Sequence, residues 1–110
     1  MNDLDATLAA LADPTRRRVV ELLRERPRRA GELAASAETS APAMSRHLRV
    51  LRASGLVEVE PAQSHQDARL RVYRLRRERF VALQTWLDQV QAFWTDQLQA
   101  FKAYAERTQD

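Results

Sequence analysis

Arg46, Arg49 and Arg52 recur at intervals of three within Thr39–Val57, a stretch that contains no acidic residue. Guanidinium groups form bidentate pairs with phosphate oxygens and with the exposed edge of guanine. The same stretch carries the marks of a short helix. Ser40 is a good N-cap, and Pro42 falls in the first turn, where a missing N–H is harmless. Met44, Leu48 and Leu51, with Val50 beside them, put apolar side chains on one face, leaving Ala41, Ala43, Ser45, Arg46 and Arg49 on the other. Small, polar and cationic residues without carboxylates suit a helix that lies beside a polyanion, and a duplex major groove admits such a helix. Thr39–Leu51 therefore reads as a DNA recognition helix.

Net charge across the 110 residues is +3, but it is unevenly spread. Residues 1–12 and 80–110 each carry −2, while residues 13–79 hold 16 arginines against nine acids. Other chemistry finds little to work with. There is no cysteine, and the two histidines, His47 and His65, fall on separate elements. No Gly-rich phosphate loop or cluster of carboxylates is present, so no catalytic constellation can be assigned and an enzyme is not expected. Thiolate metal sites need cysteine, residues 77–110 contain no histidine, and His65 with Asp67 is too sparse a pair. Neither a metal nor any other cofactor is expected. No run approaches 18 apolar residues, so no membrane span is expected. The acidic start lacks the pattern of a signal peptide, which makes the cytoplasm the default compartment.

The elements that must position the arginines follow from periodicity. Leu4, Leu8 and Leu11 share one face of a first helix over 4–12. Asp13 and Pro14 cap and open a second helix, which buries Val19, Val20, Leu22 and Leu23 and stops near Arg26, before Pro27. Arg16, Arg17 and Arg18 at its start could touch DNA, but they read rather as a solvated face. A third, brief helix spans about Ala30–Ser36 with Leu33 and Ala34 inward. Together with the recognition helix, which Ser54 and Gly55 end, it makes a helix-turn-helix over 30–54, although the turn has no glycine. Leu56–Glu60 and Leu70–Leu75 alternate apolar and charged residues around a polar turn, giving a β-hairpin over 56–75. Val57, Val59, Leu70, Val72 and Leu75 are expected on its covered face, with Arg69, Arg71 and Arg74 toward the tip or outer side. A hairpin in this place is a wing, whose arginines can reach phosphates or the flanking minor groove.

From 77 to 107 the pattern is helical, with no Gly or Pro. Phe80, Leu83, Leu87, Val90, Trp94, Leu98 and Phe101 recur at threes and fours, widened by Val81, Trp86, Phe93 and Tyr104. Thirty residues make a helix of roughly 45 Å, long against a radius of gyration of about 13 Å for a chain of this size. Such a helix needs cover from elsewhere, and a second copy is the economical source. A symmetric homodimer is expected, with Leu4, Leu8, Leu83, Trp86, Leu87, Val90, Phe93, Trp94, Leu98 and Phe101 at its interface. The expected fold is mostly α with a small β-hairpin: one winged helix-turn-helix domain over 1–110, with four helices, two strands and a fifth helix.

In this order the fragments resemble the ArsR/SmtB family of bacterial winged helix-turn-helix repressors. The likeness runs over 6–75 and rests on Leu11–Arg17, Glu32-Leu33-Ala34, Ser45-Arg46-His47-Leu48, Val50-Leu51, Ala53–Val57 and Tyr73-Arg74-Leu75. It implies a homodimeric repressor that binds a short inverted repeat in double-stranded DNA. Carried over by position, Ser40, Ser45, Arg46 and His47 match residues that often contact DNA. Ala41 and Ala43 stand where many relatives have Gln and Thr, which shifts specificity toward Arg46, Ser45 and DNA shape. The final helix, with Phe93, Trp94 and Leu98, resembles non-metal-sensing members. Two alternatives stay open at this point. One is release by a small organic ligand bound near the dimer helices. The other is a winged protein-interaction module that does not bind DNA, against which the acid-free arginine stretch speaks.

Overall fold

The computed structural model describes residues 3–60 and 70–108 of the chain. In order they form α1 (Asp3–Leu11), α2 (Pro14–Glu25), β1 (Arg28–Arg29), α3 (Ala30–Ser36), α4 (Ala41–Ala53), β2 (Val57–Val59), β3 (Val72–Leu75) and α5 (Glu78–Arg107). The chain divides into two compact units, Met1–Phe80 and Val81–Asp110. The mostly helical, winged helix-turn-helix architecture expected from the sequence is the one observed, with one strand more than expected. The expected turn over Pro61–Asp67, with His65 and Asp67, lies outside the described residues, as does Arg69.

Local chemistry explains the boundaries. Asp13 caps α2, its Oδ1 accepting from the backbone N–H of Thr15 at 2.8 Å and of Arg16 at 3.1 Å, with Pro14 in the first turn. Pro27 disfavours a helical residue before it, and Arg26 is extended at φ −170°. The chain stays extended through Arg28 and Arg29, which pair antiparallel with Tyr73 and Val72 of β3. That makes a three-stranded sheet in the order β1-β3-β2. Two residues are too few to show alternation, which is why β1 left no periodic signal. Arg28 closes the preceding helix by donating from Nε to the Leu22 carbonyl at 3.1 Å.

The turn between α3 and α4 works without glycine because Glu38 adopts φ +54°. Thr39 N–H then reaches back to the Ala34 carbonyl at 3.0 Å, the long hydrogen bond that ends a helix on a left-handed residue. The end of α4 repeats the arrangement with Gly55 at φ +79° and Leu56 N–H on the Leu51 carbonyl at 3.1 Å.

The core of the first unit joins Ala10 of α1, Val19, Leu22 and Leu23 of α2, Leu33 and Ala34 of α3, and Met44, Leu48 and Leu51 of α4. Leu56 and Val57 complete it, with Tyr73, Leu75 and Phe80 packed against them. Val20 is only half-buried. In α1 the buried residues are Thr7 and Ala10, while Leu8 is exposed and Leu4 and Leu11 are half-buried. Val57 stands opposite Leu75, and Val59 opposite Tyr73. The expected covered face is therefore corrected on β3: Tyr73 and Leu75 lie toward the core, whereas Leu70 is exposed and Val72 has the opposite parity. The apolar residues of 70–75 change parity between Val72 and Tyr73, and only the pairing to β2 decides which set turns inward.

Beyond Phe80, α5 forms the second unit, and no residue of the helix is buried. Trp86, Leu87, Val90, Phe93, Trp94, Leu98, Phe101 and Tyr104 are all exposed, and Leu83 is half-buried.

Candidate nucleic-acid interface

Helix α4 begins as its sequence dictates. Ser40 Oγ accepts from the Ala43 backbone N–H at 3.2 Å, and Pro42 occupies the first turn. Met44, Leu48 and Leu51 are buried and fix the helix to the core. That leaves Ser40, Ala41, Ser45, Arg46, Arg49 and Arg52 exposed, with Ala43 half-buried at the margin. The N-terminal turn thus presents small side chains to solvent and the later turns present guanidinium groups. A duplex can approach such a surface closely at one end and be held electrostatically at the other.

The parity of β3 determines which wing arginine joins them. Arg71 shares the parity of Tyr73, and the two face α4 across an open hollow of about 500 Å³ that Ser45, Leu48, Arg49, Arg52 and Ala53 also line. Arg49, Arg52 and Arg71 converge there without a carboxylate partner among the described residues, and Arg46 on the outer side of α4 has none either. Most other arginines of the first unit are spoken for. Arg24 pairs with Glu21, Arg26 with Glu32, Arg28 with Glu25, Arg76 with Glu58 and Glu78, and Arg79 with Asp3. Converging like charges repel unless an anion sits between them, so the hollow is suited to a phosphate group.

Two residues expected at this surface are differently engaged. Arg74 lies on the opposite face of β3, donating from Nε to Glu58 Oε1 at 2.7 Å with Glu60 at 3.7 Å. His47 is turned toward the α1–α2 corner, its Nδ1 lying 3.4 Å from an Arg16 guanidinium nitrogen and 4.0 Å from Asp13 Oδ1. Asp13 sits below its ordinary carboxylate value, chiefly because the Arg16 backbone N–H donates to it. Conversely, Arg52 and Tyr73 line the hollow although neither is among the DNA-binding residues expected from the sequence. Arg52 was visible as the third arginine of an acid-free run; Tyr73 had no signal beyond the strand parity that only pairing resolves.

The comparisons with known proteins agree with this geometry. The model of the bacterial regulatory protein family arsR matches residues 13–59, from the cap of α2 to the end of β2. The HTH-type transcriptional regulator Rv2034 of Mycobacterium tuberculosis is 42% identical over 102 residues, covering 93% of this chain and 85% of that protein. Among solved structures, an ArsR-like transcriptional regulator from Rhodococcus sp. RHA1 superposes with a TM-score of 0.79 at 30% identity, covering 94% of this chain and 91% of that one. The homodimeric winged helix-turn-helix DNA-binding domain of Mb0332 from Mycobacterium bovis, a possible ArsR-family regulator, superposes with a TM-score of 0.61 at 27% identity, over 82% of this chain and 78% of that one.

Proposed function

The chain belongs to the ArsR family of DNA-binding winged helix-turn-helix transcriptional regulators, which are not enzymes, and from that premise we propose that it is a homodimeric, metal-independent repressor of its own or a neighbouring operon. In this reading it binds an inverted repeat, one half-site per protomer. Ser40, Ala41, Ala43, Ser45 and Arg46 of α4 meet the base edges, while Arg49, Arg52 and Arg71 straddle the flanking phosphates. The observation that carries it is the set of arginines on α4 and around the hollow that have no carboxylate partner among the described residues, while Arg24, Arg26, Arg28, Arg74, Arg76 and Arg79 of the same unit are matched to acids. Arg74, held by Glu58, shapes the wing rather than binding DNA directly.

Dimerisation is supported by the exposed apolar side chains of α5, among them Phe93, Trp94, Leu98 and Phe101, each more than half exposed. The homodimeric state of the Mycobacterium bovis domain is consistent with a second copy as their cover. Metal independence is supported by the absence of cysteine and by the lack of any histidine in residues 77–110. No described helix is long and apolar enough to cross a membrane, and a cytoplasmic site of action follows from the DNA it would bind. Transcript levels from the protein's own operon test the repressor role. They rise in a strain lacking the chain if it represses; a fall would make it an activator.

A further inference from the structure

His47 sits in the middle of the recognition helix, yet its side chain is only 20% exposed and its polar neighbours belong to another part of the fold. Arg16, on the first turn of α2, is the hub. Its Nε donates to the Ala10 carbonyl at 2.7 Å and one terminal nitrogen to the Ala9 carbonyl at 3.3 Å, both in the last turn of α1, where the Ala9 carbonyl also accepts from the Ala12 N–H. The other terminal nitrogen lies 3.4 Å from His47 Nδ1. A guanidinium group has donors only, so this contact requires a lone pair on Nδ1 and places the ring proton on Nε2. Asp13 Oδ1 stands 4.0 Å from the same Nδ1, too far to hydrogen-bond, and is already occupied by the N–H groups of Thr15 and Arg16.

Taking α4 as the DNA-reading helix, we infer that His47 is a positioning residue: its Nδ1 docks α4 onto an arginine that is itself clamped to the end of α1, so that α1 sets the presentation of the recognition helix. The joint links three elements through one side chain. α1 holds Arg16 by two carbonyls, α2 carries it, and α4 receives it. A shift at the end of α1 moves the guanidinium group, and α4 follows. On this account the imidazole does not touch a base, although its neighbours Ser45 and Arg46 do.

Isosteric variants separate the two roles, because an Asn amide overlays the Nδ1 position and a Gln amide reaches the Nε2 position. The probe is a fluorescent duplex of the protein's own promoter, titrated beside a scrambled duplex, with thermal melts to show that each variant is folded. His47→Asn keeps the preference for the promoter within about threefold, whereas His47→Ala, His47→Gln and Arg16→Ala each lose about tenfold. Arg16→Ala combined with His47→Ala is no worse than Arg16→Ala alone, since His47 then has no guanidinium contact left to lose. Retention by His47→Gln with loss by His47→Asn would overturn the inference in favour of direct contact with DNA, and multiplying losses, or none, would also overturn it. Ring ¹⁵N shifts of His47 test the joint without DNA. The neutral Nε2–H tautomer is expected, and an Nδ1–H tautomer would refute the joint. A wild-type chain that fails to prefer its promoter contradicts the DNA-reading premise alone, and the ring shifts still decide the joint.

Discussion

Glu58 and Arg74 stand directly opposite each other across β2 and β3, with Arg74 Nε donating to Glu58 Oε1 at 2.7 Å. Three residues earlier in the chain, Arg71 falls on the other face and lines the hollow beside α4 with no carboxylate partner among the described residues. Positions 71 and 74 take opposite faces of the strand, and the pairing of β3 with β2 decides which of the two arginines faces α4.

This separation makes a quantitative prediction. Arg71→Ala lowers affinity for promoter and scrambled duplexes alike and reduces the slope of log affinity against log salt by about 1, the signature of one lost phosphate contact. Arg74→Ala leaves the slope nearly unchanged, because its charge is already balanced by Glu58. Equal slope changes for the two variants would show that the ion pair opens on DNA.

Arg46 is exposed on the outer face of α4 with no carboxylate partner among the described residues, and it is the residue expected to read a base. Arg46→Ala costs about 1–3 kcal/mol of specific binding, with a smaller loss on scrambled DNA. Equal losses on both duplexes would assign it to phosphate instead.

Much of this architecture was legible in the residues because the signals were local. Asp13-Pro14, Ser40 with Pro42, and Gly55 are caps and stops that act within one turn of the chain, and each does so here. The core positions Leu22, Leu33, Leu48 and Leu51 follow from helical spacing. What the sequence concealed depended on partners far along the chain. β1 exists only because β3 pairs with it, Tyr73 faces inward only because of its register with Val59, and His47 is engaged by an arginine 31 residues earlier. Glu38 in the left-handed region had no local signal, since that conformation favours glycine.

Asp13 gives a pH-dependent stability. Its carboxyl is held below its ordinary value of 3.8, first by the Arg16 backbone N–H, so the stabilisation is present above that value and is lost as pH falls through the lower folded value. Asp13→Ala is therefore expected to unfold more easily at pH 7 by about 0.5–2 kcal/mol, the usual range for a lost N-cap. The gap to wild type narrows below pH 3.8. Urea titrations at pH 7 and pH 3 check this, and a constant difference would show that the charged carboxylate is not the source.

On the dimer account, Trp94, 61% exposed on α5, packs against a second copy. Trp94→Ala shifts the monomer–dimer equilibrium toward monomer, read as a fall in mass by light scattering on dilution. A mass unchanged from wild type across the dilution series would remove Trp94 from the interface.

Metal-independent recognition of the chain's own promoter is decided by fluorescence anisotropy. The promoter duplex is titrated beside a scrambled one at several salt concentrations, with zinc and with EDTA. A preference of about 10³-fold or more for the promoter is expected, with affinity falling steeply as salt rises and the same in zinc and EDTA. Equal, weak binding to both duplexes, or a preference that appears or vanishes with zinc, would contradict it.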